Sequence, residues 1–375
     1  MITLQEKRTQ IDDLLDRMAE DLQLDDTRKA KMKQHYEASK DWIEADEKFF
    51  KPYRYDVYPH GSVRILTTVK PIGREEFDLD VVIHLKAKWN THTPKRIYEE
   101  LKRRLEEHAT YKGMLEPKNR CLRLNYAGDF HMDILPGIQE NDWDENRIMV
   151  PDHELGRWVS SSPRAHADWF LGQANLVKES LLEKALRAEQ AAGRQFCQEK
   201  PLQRAVQLIK RDRDLYFQND DRYKTSSIVL TTLAGLLYEG QDGIFDTGMV
   251  SLANFRDNIR TNIGRLKVFN PVNRTEDFTD KWEQIPEYYI AFKQFVDHLY
   301  DNWQQLKQEQ GLIVESKILR NVFGDEVFIK AQTGQVEQIE QMRKSRVLGA
   351  TRSTGTLSAL GAGAASIKPN TFFGE

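Results

Sequence analysis

Two aspartates stand two positions apart in an apolar, β-branched run, Phe77-Asp78-Leu79-Asp80-Val81-Val82-Ile83. Side chains so spaced in a strand leave the same face, where two carboxylates repel unless something neutralises them. Hard divalent cations do this, and Mg²⁺ takes a few carboxylates together with phosphate oxygens. A third acid on a neighbouring strand would complete a two-metal site, and Asp133 in His131-Met132-Asp133-Ile134-Leu135 is the candidate. Upstream, His60-Gly61-Ser62 is followed by Thr67 and Thr68. Gly61 lets the backbone approach a phosphate closely, and the amide and hydroxyl of Ser62 are donors for phosphate oxygens at a helix start. A D-x-D pair alone is commonly a solvated strand edge, and a Gly-Ser pair alone a loop. Together, three acids with two Mg²⁺ (or Mn²⁺) ions facing a triphosphate cradle suit in-line attack on phosphorus. The predicted reaction is nucleotidyl transfer.

Other residues are weaker candidates. Arg64, Lys70 and Arg74 lie between the Gly-Ser pair and the acids and are candidates for neutralising phosphate. His60 and His131 are placed to orient the turn and the third acid, or to play a structural part only. The nine His residues show no zinc-protease spacing, and the two cysteines, Cys121 and Cys197, cannot build a disulfide framework or a cysteine-ligated metal centre.

These residues need elements to hold them. From Leu4 to Phe50, apolar residues three and four apart among dense charges predict amphipathic helices. From Pro52 to Val150 the pattern shortens to strand-like runs at Phe77–Leu85, Arg120–Tyr126 and Phe130–Leu135, with a Pro-initiated helix over Pro94–His108. Helical periodicity returns from Pro163 to Gln341, with helices predicted over Ala165–Glu189, Pro201–Gln218, Ser226–Tyr238, Met249–Leu266, Asp280–Gln308 and Glu315–Phe323. The fold class is therefore α+β: a catalytic core on a mixed sheet with helices before and after it. The expected organisation is N-terminal helices over 1–50 packing on both lobes, a catalytic core over 51–162, a helical lobe over 163–341 completing the nucleotide site, and a flexible tail over 342–375. Residues 349–375 hold five of the 21 glycines, with dense Ala, Ser and Thr, too little apolar surface to offset the entropy of ordering.

A length of 375 residues suits two domains and an appendage. Lys plus Arg number 55 and Asp plus Glu 58, a net charge of −3. That balance argues against a basic platform for DNA, which must displace counterions, and against an RNA-binding extension. The N-terminus lacks a secretory h-region and no apolar run approaches the ~20 residues of a membrane span, so the expected setting is cytoplasmic and away from membranes.

The Gly61-Ser62…Thr67 and Asp78-x-Asp80 motifs with Asp133 resemble the polymerase β-like nucleotidyltransferase superfamily, and within it the bacterial cGAS/DncV-like nucleotidyltransferases (CD-NTases). The likeness extends through Trp158, Ser162-Pro163 and Trp169-Phe170 into the helical half. The resemblance implies a cyclic oligonucleotide synthase of CBASS anti-phage defence, its product acting on a downstream effector. The overall look is closest to the branch making cyclic trinucleotides from ATP and GTP. It further implies that Lys210 contacts the donor triphosphate and that Ser227 joins it. Ile228 stands where some relatives carry an aromatic residue, so base stacking must come from elsewhere. Finally, the resemblance implies that an E1/E2-like partner conjugates the chain through its C-terminus, reversibly by a protease. Phe372 and Phe373 would anchor that partner, with Gly374 or Glu375 the conjugated residue. Two other readings stand beside this one: a transferase acting on an RNA 3′ end or an aminoglycoside-like acceptor, and a catalytically inactive nucleotide-binding scaffold.

Overall fold

Leu79, Val81 and Ile83 are buried, whereas Asp78 is exposed and Asp80 partly so. This alternation in β2 (Phe77–Leu85) sets the two faces of the central sheet. The computed structural model describes residues 4–73, 76–154, 156–177, 199–308, 312–345, 348–351, 357–359 and 364–366. In the seven-stranded sheet, β1 (Tyr55–Pro59), β2, β5 (Phe130–Gln139), β4 (Leu122–Tyr126) and β3 (Leu115–Pro117) lie side by side in that order. Strand β6 (Ile148–Asp152) pairs with the end of β5, and β7 (Arg157–Ser161) with β6. Only the β2–β5 pairing is parallel within this sheet. It therefore needs a crossover, and α4 (Pro94–Glu106) and α5 (Ala109–Met114) fall within that connection.

One face of the sheet is covered. Ile97, Leu101 and Leu105 of α4 pack with Leu79, Val81 and Ile83 and with Ile43 of α2 (Asp26–Glu44). The Tyr36 hydroxyl donates to the Val57 carbonyl at 2.9 Å, and the Trp42 indole N–H to the Arg104 carbonyl at 2.8 Å, tying α2 to β1 and α4. α1 (Leu4–Asp21) goes elsewhere: its Leu15 and Met18, with Leu22 just past its end, are buried in a second core with Phe170, Leu208, Phe292 and Trp303. Its Asp12 carboxylate accepts from the Phe245 amide at 2.7 Å, capping another helix from outside.

That second core is helical: α6 (Pro163–Ala174), α7 (Pro201–Tyr216), α8 (Ser227–Leu236), α9 (Ile244–Thr261), α10 (Lys281–Gln284), α11 (Glu287–Lys307), α12 (Leu312–Phe323) and α13 (Asp325–Lys344). Several elements differ from expectation. The helix predicted over Ala165–Glu189 ends at Ala174, and residues 178–198 lie outside the described residues. The run Asp280–Gln308 is two helices, because Pro286 supplies no amide hydrogen and holds Ile285 extended at φ −130°, ψ 90°. The helix predicted to reach Leu266 ends at Thr261, with Gly264 at φ +99° beyond it. Between α9 and α10 an unpredicted hairpin appears, β8 (Phe269–Asn270) and β9 (Asn273–Asp277), too short for its pattern to stand out from helix. The tail also departs from the flexible reading: β10 (Leu348–Thr351) pairs antiparallel with β11 (Leu357–Ala359) and β12 (Ala364–Ser366). Backbone pairing between small residues needs no apolar core of the kind composition reports. Phe372, Phe373, Gly374 and Glu375 lie outside the described residues. No helix among those described is long and apolar enough to cross a membrane.

The second core is tightly fitted. A methyl group on Gly248 of α9 would overlap the ring of Trp303, itself fully buried. Gly248→Ala is therefore expected to lower unfolding stability by about 1–3 kcal/mol, read from denaturant midpoints, whereas Gly113→Ala, with open space around it, should cost far less.

Candidate active site

Parallel register sets Asp80 opposite Asp133 and Asp78 opposite His131. The three predicted acids thus stand on one sheet face, the one that α2 and α4 leave uncovered. Burial, with repulsion from Asp133 and Asp78, raises the Asp80 carboxyl to about 7. A carboxyl so raised has no adequate counter-charge. Asp78 and Asp133 do have one: Arg123 of β4 donates to Asp133 at 2.7 and 2.8 Å and to Asp78 at 3.0 Å. His131 adds contacts to Glu76 at 2.8 Å and to Asp78 at 3.5 Å. The pattern of acids gave no cue to Arg123, because only the β4–β5 register brings it opposite Asp133.

The Gly-Ser turn is built against this face. The His60 amide donates to the Asp80 carbonyl at 2.9 Å. Gly61 has φ +59°, and a side chain there would run into the Asp80 carboxylate. Glycine is thus required by the acid pressed against the turn as well as by backbone conformation. Ser62 is the second residue of the four-residue α3 (Gly61–Arg64), and its hydroxyl accepts from Thr68 at 3.2 Å. Burial pushes His60 down to about 4, so its ring is neutral near pH 7.

What holds the turn comes from the helical lobe. Gln203, Gln207 and Lys210 share one face of α7 by their spacing. They donate to the carbonyls of Ile65 at 2.8 Å, Thr68 at 3.2 Å and Thr67 at 2.8 Å. Lys210 lines the cleft but is buried, with 6% of its surface exposed. Its ammonium is anchored on the turn. Burial and nearby Arg213 lower it to about 8. Ser227 also reaches the cleft, its hydroxyl accepting from Arg213 at 2.6 Å. Arg213 leans on Asp214 at 2.6 Å, which also pairs with Lys224 at 2.9 Å. Gln203, Gln207 and Arg213 were not among the expected residues; only the 3.6-residue period through Lys210 could have nominated the first two.

Three cationic candidates fare differently. Arg64 pairs with Asp168 at 2.8 Å and Lys70 with Asp21 at 3.1 Å, neither lining the cleft; these are bonds between segments rather than a phosphate site. Arg74 lies outside the described residues.

The cleft between sheet and helical lobe measures about 510 Å³, within the ~300–1,000 Å³ of small-molecule sites. Beyond the acids it is walled by Leu135, Val150, Pro163, Ile228 and Phe278, and it reaches the Glu276 carboxylate. Glu276 is held by Ser161 at 2.7 Å, the Ser162 amide at 3.2 Å and Asn270 at 2.7 Å. Phe278, just past the unpredicted hairpin, gives the cleft an aromatic wall and packs edge-on against His166.

The all-oxygen donor set and the uncompensated Asp80 fit hard divalent cations. Among the described residues no three ligating side chains converge on one point as placed, and Arg123 is bonded to Asp78 and Asp133. With Asp80 neutral below about 7 and ionised above, metal uptake below that pH must displace a proton. Mn²⁺ affinity is expected to strengthen as pH rises from about 6 to 8, with proton release largest at the low end. Calorimetry in buffers of different ionisation enthalpy measures this; a pH-independent affinity would contradict it.

A family model described as Second Messenger Oligonucleotide or Dinucleotide Synthetase domain matches residues 10–174. The chain is 38% identical to a c-di-GMP synthase of Roseivirga ehrenbergii over 377 aligned positions spanning all of both chains. It is 25% identical to the cyclic dinucleotide synthase CdnG of Bradyrhizobium diazoefficiens, over 92% of this chain and 88% of that one. The solved structure of that CdnG in complex with GTP superposes with a TM-score of 0.70, at 22% identity, covering 87% of this chain and 99% of the other. With the acids, the turn and the two-lobed architecture in place, full-length similarity at this level means that the chain belongs to the cGAS/DncV-like nucleotidyltransferases, the CD-NTase family of second-messenger synthetases.

Proposed function

We propose that this enzyme joins two GTP molecules into cyclic di-GMP. The observation that carries the nucleotidyl-transfer chemistry is the row of Asp78, Asp80 and Asp133 on one sheet face, with the Gly61-Ser62 turn pressed against it. The ring size rests on the full-length likeness to a c-di-GMP synthase, which favours a two-nucleotide ring over the three-nucleotide ring expected from the sequence. A role in anti-phage signalling, with a downstream effector reading the product, belongs to the same proposal.

Asp78, Asp80 and Asp133 would hold Mg²⁺, which when bound neutralises triphosphate charge and makes a ribose hydroxyl more acidic. The chain's own residues do the rest. The Ser62 amide and hydroxyl hold phosphate oxygens, the Lys210 ammonium supplies positive charge beneath the turn, and Ser227 is oriented by Arg213 toward the same end of the cleft. Asp133 would orient the attacking 3′-hydroxyl. In each transfer the 3′-oxygen bonds to the α-phosphorus and gives up its proton to solvent, that phosphorus's bond to the bridging oxygen breaks, and pyrophosphate leaves with the electron pair. Two such transfers close the ring. Positioning and charge neutralisation account for the rate without covalent catalysis.

The test is product analysis by mass spectrometry with labelled GTP, ATP, CTP and UTP and with either Mg²⁺ or Mn²⁺. Cyclic di-GMP is expected from GTP alone, undiminished when the other nucleotides are omitted. A ring requiring ATP would overturn the base assignment, and label appearing only on an added RNA or aminoglycoside would overturn cyclisation. Asp78→Asn with Asp80→Asn is expected to reduce synthesis more than ~100-fold, beyond what loss of an outer-shell partner does.

A further inference from the structure

Across the sheet, register places four charged residues in one transverse row: Glu116 opposite Arg123, Arg123 opposite Asp133, and Asp133 opposite Asp80. Arg123 sits mid-row with acids on both sides. It is now turned toward Asp133 and Asp78, making the three bonds described above, at 2.7, 2.8 and 3.0 Å. On its other side Glu116 shares the same face, as the Asn125 amide donating to it at 3.4 Å shows. Glu116 is otherwise bonded to Lys118 at 2.5 Å, and a carboxylate offers about four acceptor sites, so it retains room for a guanidinium. Adjacent strands are about 4.8 Å apart, so one arginine side chain reaches either neighbour.

We propose that Arg123 is a resident counter-ion that competes with divalent metals for Asp78 and Asp133, and that Glu116 receives it when metals bind. This rests on the reading that the three aspartates hold the metals. A guanidinium bound to two of three ligand carboxylates neutralises the acids in the metal-free protein and occupies the oxygens that a cation needs. Arg123 thereby sets the metal concentration at which the site loads. Because arginine stays protonated at any pH the protein meets, its release follows competition by metal and not loss of its own proton.

The experiment titrates the full-length protein with Mn²⁺ alone, following free Mn²⁺ by electron paramagnetic resonance, for wild type, Arg123→Gln, Glu116→Gln and the double variant. Arg123→Gln is expected to bind Mn²⁺ about tenfold tighter and to melt at a lower temperature in EDTA. Glu116→Gln should bind it about threefold more weakly, and that effect should vanish in the Arg123→Gln background. Unchanged or weaker Mn²⁺ binding by folded Arg123→Gln overturns the proposal, as does a Glu116→Gln effect that persists without Arg123. If Arg123→Gln fails to fold, Glu116→Gln decides: unchanged Mn²⁺ affinity refutes the receiving role and the competition with it. Wild-type Mn²⁺ binding that survives Asp78→Asn with Asp80→Asn would instead remove the metal reading itself.

Discussion

Three carboxylates on one face of adjoining strands are the constraint around which this protein is arranged. Like charges so close cannot all be ionised without a counter-charge, and the molecule answers differently at each. Asp78 and Asp133 share Arg123, whereas Asp80 is left to hold its proton up to about pH 7. The cost is borne by the sheet beneath: Leu79, Val81, Ile83 and the apolar face of α4 bury enough surface to keep the strands in register. Register is what brings three separate acids together, since a one-residue slip of either strand would send that strand's acids to the opposite face.

The second dependence runs between the lobes. A turn bearing Gly61 at positive φ and Leu66 at φ +57° does not hold its shape unaided. Helix α7 holds it with three side chains, each bonded to a carbonyl within Ile65–Thr68. The lobe that closes the cleft is thus also the lobe that shapes the Gly61-Ser62 turn. α1 and α2 reinforce the joint, one buried in the helical core and the other in the sheet core.

Much of this was legible beforehand. The D-x-D pair, Asp133 and the Gly-Ser turn could be read because their chemistry is carried by residue type and short spacing, and β2, β4, β5, α4 and α7 because their periodicities are long and regular. What stayed hidden was of three kinds. Pro286 split a helix whose apolar period runs across the break. The β8–β9 hairpin and the paired strands near the C-terminus are too short, or too poor in apolar residues, to leave a pattern. The burial of Lys210, and the turn-holding by Gln203 and Gln207, depend on a partner more than a hundred positions away.

The sequence by itself determined the chemistry: which acids, which turn, and the strand and helix that carry them, because alternation and period follow from local backbone geometry. Only tertiary structure decided how the charges are balanced. Arg123 and Asp80 become neighbours of Asp133, and Glu116 a neighbour of Arg123, through strand pairing, and pairing between segments distant in the chain is selected by burial of the whole sheet face, which no local pattern encodes.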